Sequence, residues 1–138
     1  MIVSLRGVMI RIFIVDDNAL IRSHLRALLE QNTEWVVVGE AASGRDAIEN
    51  CHELKPDLTV MDFLMPEMDG LEASRELTKR EPQVPILMVT LDPSRQLEVE
   101  ARKAGVKGVC EKTQIWKLAD AVEALIRGRT YFSPALAA

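Results

Sequence analysis

The chain has 138 residues and a mass of 15.4 kDa, which suits one compact domain. Apolar residues make up 48% of it and charged residues 28%, a balance that excludes disordered and collagen-like chains. The formal net charge of −4 argues against nucleic-acid binding by this domain itself, because contacts to phosphates need clustered Lys and Arg.

The sequence also lacks the features of membrane and secreted proteins. No run approaches the roughly 20 apolar residues of a membrane helix, and the first apolar stretch is too short for a secretory signal. Two cysteines, Cys51 and Cys110, are too few for a disulfide framework, so we expect both to be reduced and buried. These features predict a cytoplasmic protein without a membrane partner.

Five short apolar runs alternate with segments of helical period. The runs cover residues 10–15, 35–38, 58–61, 86–89 and 108–110. Val and Ile dominate them, and none alternates cleanly between apolar and polar residues. This pattern is typical of strands that are covered on both faces of a parallel sheet.

Five helices are predicted between and after these runs. The last is the clearest, because Ile115, Leu118, Val122 and Leu125 fall on one apolar stripe. Asn18 is placed to cap the first helix. The alternation of strands and helices predicts a single-domain (βα)5 open sheet with right-handed crossovers.

Polar side chains follow four of the five predicted strands. Asp16 and Asp17 end the first strand, Asp62 the third and Thr90 the fourth, and Lys112 follows the fifth. Ligands of open α/β sheets bind beyond the carboxyl ends of the strands. These five side chains should therefore meet at one rim if the first and third strands are neighbours.

The three carboxylates at this rim need a partner. Two like charges ~4 Å apart repel by ~4 kcal/mol at an effective dielectric near 20. A hard divalent cation such as Mg²⁺ would offset this repulsion, and so would Lys112. The alternative is structural: Asp16 and Asp17 would cap the first helix and Asp62 a strand end. The shared rim favours a functional site.

The sequence does not indicate a nucleotide-binding site or a histidine metal site. It contains no glycine-rich phosphate loop, and the loop after the first strand is acidic, which would repel a phosphate group. His24 and His52 each stand alone in a helical segment, so we interpret both as surface residues and not as metal ligands.

At these motifs the chain resembles the receiver domain of bacterial two-component response regulators, over residues 10–128. The matching strings are IVDDN at 14–18, MDFLMPEMDG at 61–70, VT at 89–90 and GVCEK at 108–112. The string GRTYFSP at 128–134 is similar to the NarL/FixJ-type subclass. The resemblance implies a CheY-like, flavodoxin-like (βα)5 doubly wound five-stranded parallel sheet of order 2-1-3-4-5.

The resemblance also divides the chain and assigns partners. Residues 1–8 would be an N-terminal extension, 9–128 the receiver, and 129–138 a tail or the start of a linker to an output domain. Asp62 would accept a phosphoryl group from a sensor histidine kinase or a phosphotransfer protein. Such a domain is a signalling phosphoacceptor, enzyme-like only in promoting its own phosphorylation and dephosphorylation.

Further residue roles follow from the same resemblance. Asp17, Asp62 and the backbone carbonyl of Leu64 would ligate Mg²⁺, or Mn²⁺ in its place, and Asp16 would act through water. Lys112 would pair with the phosphoryl oxygens. Thr90 would turn its hydroxyl toward the phosphoryl group and so bias the fourth helix with the fourth and fifth strands.

Four positions depart from the commonest receiver pattern. Val109 stands where an aromatic residue is usual, so an aromatic flip cannot carry the switch. Leu64 and Leu91 are bulky beside the site and would shield an acyl phosphate from water; the alternative is that they pack under loops. Thr113 replaces a frequent proline and would cap the fifth helix.

The turn after the third strand completes the motif. Asp69 is placed to cap the third helix. Gly70 would either adopt a positive φ or let the third helix pack closely, and Pro66 fixes its own φ.

The leading function is a phosphorylation switch whose output is transcription through a helix-turn-helix domain outside this chain. The alternatives are a stand-alone receiver or a pseudo-receiver that serves protein–protein contact. A phosphohydrolase of the haloacid dehalogenase type is disfavoured, because Leu64 stands where that class carries a second Asp. A homodimer would use either the fourth-helix/fifth-strand/fifth-helix face or the first-helix/fifth-helix face.

Overall fold

The computed structural model of the protein describes residues 3–4 and 7–132. Five parallel strands form the central sheet: β1 (Ile10–Val15), β2 (Trp35–Ala41), β3 (Leu58–Asp62), β4 (Ile86–Thr90) and β5 (Gly108–Glu111). Their spatial order is β2-β1-β3-β4-β5, which confirms the predicted 2-1-3-4-5 sheet. A short antiparallel pair, Val3–Ser4 with Gly7–Val8, precedes β1.

Five α-helices alternate with the strands: α1 (Ala19–Leu29), α2 (Gly44–Leu54), α3 (Gly70–Arg80), α4 (Arg95–Lys103) and α5 (Leu118–Ile126). Their apolar stripes cover both faces of the sheet, so the fold is doubly wound. Within residues 3–4 and 7–132, no helix has the length and apolar character to span a membrane.

Two apolar layers hold the sheet between the helices. Phe13 and Val15 of β1 face the layer formed with α2, α3 and α4, whereas Ile12 and Ile14 face the layer formed with α1 and α5. Strands β3 and β4 are buried along their whole length. Neighbouring residues on a strand point to opposite faces, so continuous apolar strands suit a sheet covered on both sides.

The two cysteines confirm the expectation of buried, free thiols. Cys51 lies in the first of these layers and Cys110 in the second. Burial raises the pKa of each thiol to about 11, because a thiolate is poorly solvated there.

Side-chain caps begin the helices that lead away from the strand ends. The Oδ1 atom of Asn18 accepts the N–H groups of Leu20 and Ile21 at 2.9 and 3.0 Å, as predicted. Asp69 caps α3 in the same way through the N–H of Glu72, at 2.9 Å. These caps satisfy backbone donors that a helix leaves without partners at its first turn.

The prediction that Thr113 caps the fifth helix is wrong. A 3-10 helix, Lys112–Lys117, follows β5, and α5 begins only at Leu118 without a side-chain cap. Gln114 has non-helical angles (φ −116°, ψ 47°), which separate this turn from a regular helix. Thr113 and Ile115, both assigned to the fifth helix from the sequence, therefore belong to the connection.

Candidate functional site

The carboxyl ends of β1, β3, β4 and β5 meet at one rim of the sheet. Val15 is registered with Met61, so Asp16 and Asp62 come next, side by side on neighbouring strands. Thr90 closes β4, and Lys112 directly follows β5. The parallel topology thus gathers side chains that lie far apart in the sequence.

Three aspartates form a compact acidic cluster there. One carboxylate oxygen from each of Asp16, Asp17 and Asp62 lies within 4.8 Å of the other two. Asp16 and Asp62 are 1% and 4% exposed, whereas Asp17 is exposed. The cluster is therefore closed from below by the sheet and open to solvent on the side of Asp17.

Lys112 brings a cation into this cluster. Its Nζ atom donates to Asp62 Oδ1 at 2.8 Å and to Asp16 Oδ2 at 3.4 Å. Burial alone would lower the pKa of the ammonium group, but the hydrogen bond and charge of Asp62, with the charge of Asp16, raise it. Lys112 is thus held in its charged form beside Asp62.

The surroundings of Asp62 raise the pKa of its carboxyl group. Burial is the largest cause that raises its pKa, and the charges of Asp16 and Asp17 raise it further. The hydrogen bond and charge of Lys112 act in the opposite direction without cancelling these effects. Because the like charges of three close carboxylates repel one another, a second cation at the cluster would be favourable.

Arg22 supports the cluster and was missed by the sequence reasoning. Its Nη1 atom donates to the backbone carbonyl of Asp16 at 2.7 Å. The N–H of Asn18 donates to Asp16 Oδ1 at 2.9 Å, so each oxygen of the Asp16 carboxylate has a partner. The available signal was the position of Arg22 one turn after the cap of α1, which returns its side chain toward the strand end.

The loop after Asp62 is shaped by Gly70. A Cβ atom at Gly70 would collide with the backbone carbonyl of Asp62, and the N–H of Gly70 donates to the carbonyl of Phe63 at 2.7 Å. Positive φ among the described glycines occurs at Gly105 and Gly128, so Gly70 serves the close approach of α3 and not a left-handed turn.

Thr90 is buried at the same rim. Its hydroxyl oxygen accepts the N–H of Asp92 at 3.3 Å, and the residue is 3% exposed. Asp62 is registered with Val89, so Thr90 stands one residue beyond that pair on the neighbouring strand.

The three unusual apolar residues occupy two different environments. Leu64 and Leu91 are 66% and 62% exposed, which excludes the alternative that they pack under loops. Each follows a strand end closely, where the chain turns outward to the solvent. Val109 is buried in the layer that includes α4, so its small side chain is part of the core.

The histidines lie away from the cluster. His24 and His52 are both exposed on helices, as expected, and His52 Nδ1 lies 2.7 Å from Glu81 Oε1.

Comparisons with known proteins agree with this geometry. The family model described as the response regulator receiver domain matches residues 12–123. Response regulator protein VraR of Staphylococcus aureus is 41% identical over 126 residues, which are 91% of this chain and 60% of VraR. The chain therefore spans about 60% of the length of that relative.

Solved structures show the same fold. A LuxR-family two-component response regulator from Aurantimonas sp. SI85-9A1 superposes with a TM-score of 0.89 at 33% identity, covering 94% of this chain and 93% of that one. The response regulator domain of Thermotoga maritima CheB gives 0.77 at 29% identity, covering 87% and 95%. With its sheet order, its acidic rim and these matches, the chain belongs to the response regulator receiver domain family.

Proposed function

We propose that this chain is a phosphoacceptor receiver in which Asp62 takes a phosphoryl group from a phosphohistidine of a sensor histidine kinase or a phosphotransfer protein. Receiver domains are signalling domains that interact with histidine kinases and generally bind Mg²⁺ at an acidic pocket. The observation that carries the proposal is the 2.8 Å contact of Lys112 with Asp62 beside Asp16 and Asp17.

The proposed reaction needs an ionised Asp62. One carboxylate oxygen attacks the phosphorus, the phosphorus–nitrogen bond breaks, and its electron pair leaves with the imidazole of the donor. The product is an acyl phosphate on Asp62. The Lys112 ammonium supports the ionised carboxylate before transfer and pairs with the phosphoryl oxygens after it.

The acidic cluster suits a hard divalent cation. Three carboxylates, each with an oxygen within 4.8 Å of the others, offer the ligands that Mg²⁺ prefers. Burial is the main cause that raises the pKa of Asp62, and the charges of Asp16 and Asp17 add to it. Asp17, Asp62 and the Leu64 carbonyl would hold Mg²⁺, or Mn²⁺ in its place, with Asp16 acting through water. When bound, the ion neutralises charge on the carboxylate and phosphoryl oxygens.

The switch would begin at Thr90. After phosphorylation its O–H would rotate to donate to a phosphoryl oxygen, and this would change the bond that the hydroxyl oxygen accepts from the Asp92 N–H and shift the connection between β4 and α4. Val109 is buried on the adjacent strand and has one stiff rotamer, so the response there must be a movement of packed backbone and not a ring flip.

Leu64 and Leu91 would lengthen the lifetime of the acyl phosphate. Both are exposed and follow the strand ends that carry Asp62 and Thr90, which would place them on the solvent side of the site, where an attacking water would enter. We expect Leu64→Asn to speed phosphate loss from the phosphorylated protein, measured as decay of the phosphorylated mass with time. A decay no faster than that of the parent would contradict the shielding role.

The central test is phosphorylation itself. With acetyl phosphate or a cognate kinase and Mg²⁺, we expect a mass gain of one phosphoryl group that disappears in Asp62→Asn and on chelation of the metal. Asp57→Asn is the matched control, because Asp57 is an exposed aspartate that pairs with the Arg11 N–H at the opposite end of the strands. Mass gain that persists in Asp62→Asn would overturn the assignment.

We further propose that the output is transcription, through a helix-turn-helix domain outside this chain. The similarity of residues 128–134 to the NarL/FixJ subclass and the likeness to a LuxR-family response regulator support this output. Reading the open frame beyond Ala138 tests it directly. A stand-alone receiver or a pseudo-receiver is the alternative, and the latter predicts no phosphoryl incorporation.

A further inference from the structure

The chain does not leave the domain at the end of α5. Gly128, with φ +78°, turns it back, and Tyr131 forms a parallel bridge with Gly108 on the outer edge of β5. The N–H of Val109 donates to the Tyr131 carbonyl at 2.8 Å, and the Tyr131 N–H donates to the Lys107 carbonyl at 2.9 Å. We call residues 129–132 the C-terminal strap.

Side chains hold the strap on both faces of the sheet. The Tyr131 to Gly108 register places Phe132 beside Val109, and both join the apolar layer that includes α4. The guanidinium carbon of Arg102 on α4 lies 3.7 Å from the centroid of the Phe132 ring. Tyr131 instead packs against the layer formed with α1 and α5.

The edge strand is fitted to receive the strap. A Cβ atom at Gly108 would lie 2.8 Å from the Tyr131 carbonyl oxygen, so glycine permits this backbone approach. Arg102 is itself anchored by Glu98, with 3.2 Å between Arg102 Nη2 and Glu98 Oε1. Several independent contacts therefore select the docked position.

The strap also touches the strand that leads to the phosphoacceptor site. β5 is the last strand of the five-stranded sheet, and the strap closes hydrogen bonds along its open edge at Lys107 and Val109. Three residues after Val109 comes Lys112, whose ammonium group contacts Asp62 at 2.8 Å. An edge strand without this cover has fewer contacts and opens more readily, which would loosen the position of Lys112.

We propose that docking of the C-terminal strap on β5 and α4, and binding of a phosphoryl group at Asp62, stabilise each other. This inference rests on the proposed function. The docked strap preorganises Lys112, so the site loses less conformational freedom when it binds a phosphoryl group. Because coupling between two sites is reciprocal, phosphoryl binding must then hold the strap more tightly.

The first test measures the affinity for beryllofluoride, a phosphoryl mimic, in the presence of Mg²⁺. We expect Phe132→Ala and Gly108→Ala in the 138-residue chain to weaken binding by about fivefold or more, the lower range of measured couplings. Val37→Ala is the matched control, since it removes buried packing from β2 at the opposite edge of the sheet. Equal or tighter binding in the strap variants would overturn the coupling.

The second test follows amide hydrogen exchange. Without ligand, we expect the Tyr131 and Val109 amides to be protected in the parent and to lose protection in Phe132→Ala. Beryllofluoride with Mg²⁺ should slow their exchange further. Exchange at the rate of an unfolded chain in the unliganded parent would refute the docked strap, whatever happens at Asp62.

The two proposals can fail separately. A parent that binds no beryllofluoride contradicts the proposed function and with it the coupling, while the exchange data still decide whether the strap is docked. A parent that binds the mimic normally, with exchange at Tyr131 unchanged or faster, leaves the proposed function intact and eliminates the coupling.

Discussion

Two acids near the same rim of the sheet show how neighbours decide what a carboxylate does. Glu40, near the end of the edge strand β2, contacts two arginines: Arg22 Nε at 3.0 Å and Arg26 Nη2 at 2.8 Å. Asp62, at the end of the central strand β3, shares one lysine with Asp16 and has Asp17 nearby. Glu40 is therefore paired with two cations of its own, whereas Asp62 shares one cation with another carboxylate.

The pKa values of these two acids shift in opposite directions. Burial would raise the pKa of Glu40, but hydrogen bonds and charges from Arg26 and Arg22 outweigh it and lower the pKa. Burial raises the pKa of Asp62, and the neighbouring carboxylates add to that effect. The ion pairs of Glu40 therefore act as a structural contact, while additional positive charge would stabilise the cluster around Asp62.

The largest effect should come from removing Lys112, the cation that contacts Asp62. We expect Lys112→Ala to slow phosphoryl incorporation by about 100-fold or more, the range seen when one electrostatic contact to a developing charge is lost. Mg²⁺ binding should persist or tighten, because a competing cation is gone. Rates of incorporation and a metal titration measure the two outcomes, and unchanged incorporation would show that Lys112 is only a structural partner.

Mg²⁺ should convert the central cluster into a stabilising one. At a free concentration 100 times its dissociation constant, an ion that binds only the folded state adds about 2.7 kcal/mol to the free energy of unfolding. Thermal unfolding with and without Mg²⁺ measures this gain, which should shrink in Asp17→Asn. A gain of equal size in Asp17→Asn would remove Asp17 from the set of ligands.

The pH dependence gives the next contrast. Because the folded-state pKa of Asp62 is raised, the folded protein binds more protons than the unfolded chain between the ordinary pKa of 3.8 and the folded-state pKa. Stability in the absence of metal is therefore lost as pH rises through that window. We expect Asp62→Asn to remove this loss and to raise Tm at neutral pH by less than Mg²⁺ does.

The smallest effect on stability should come from a change at Glu40, on the edge strand β2. Glu40→Gln removes two partly exposed ion pairs and should cost about 1 kcal/mol at neutral pH. Since the folded-state pKa of Glu40 is lowered, its contribution to stability is present above the ordinary pKa of 4.5 and disappears as pH falls through the folded-state pKa. Denaturant unfolding against pH checks the sign, which is opposite to that of Asp62.

Much of the site follows from local pattern and one topological rule. Each of the five polar residues at the rim ends or follows an apolar run in the sequence: Asp16, Asp17, Asp62, Thr90 and Lys112. Because the carboxyl ends of parallel strands lie at one edge of the sheet, these residues are expected to meet there. Asn18 and Asp69 cap their helices as predicted, because a cap depends on a few consecutive residues.

Features that depend on distant neighbours were not predictable in this way. Thr113 is of a residue type that often caps helices, but the connection from β5 to α5 forms a 3-10 helix. The position of Arg22 one turn after the cap of α1 is compatible with a contact to the strand end, but only the folded structure shows that its side chain reaches the Asp16 carbonyl. Gly70 allowed two explanations, and only the packing of α3 against the Asp62 carbonyl selects one.

The sequence by itself determined the alternation of strands and helices, the sheet order through its family motifs, and the acids that end the strands. These are short-range properties of apolar period and strand-end chemistry. Only the tertiary structure decided that Lys112 contacts both Asp62 and Asp16, that Leu64 and Leu91 face solvent, and that Tyr131 returns to β5. Those facts depend on how closely strands, helices and loops that are distant in the sequence approach one another, and no local sequence pattern encodes this.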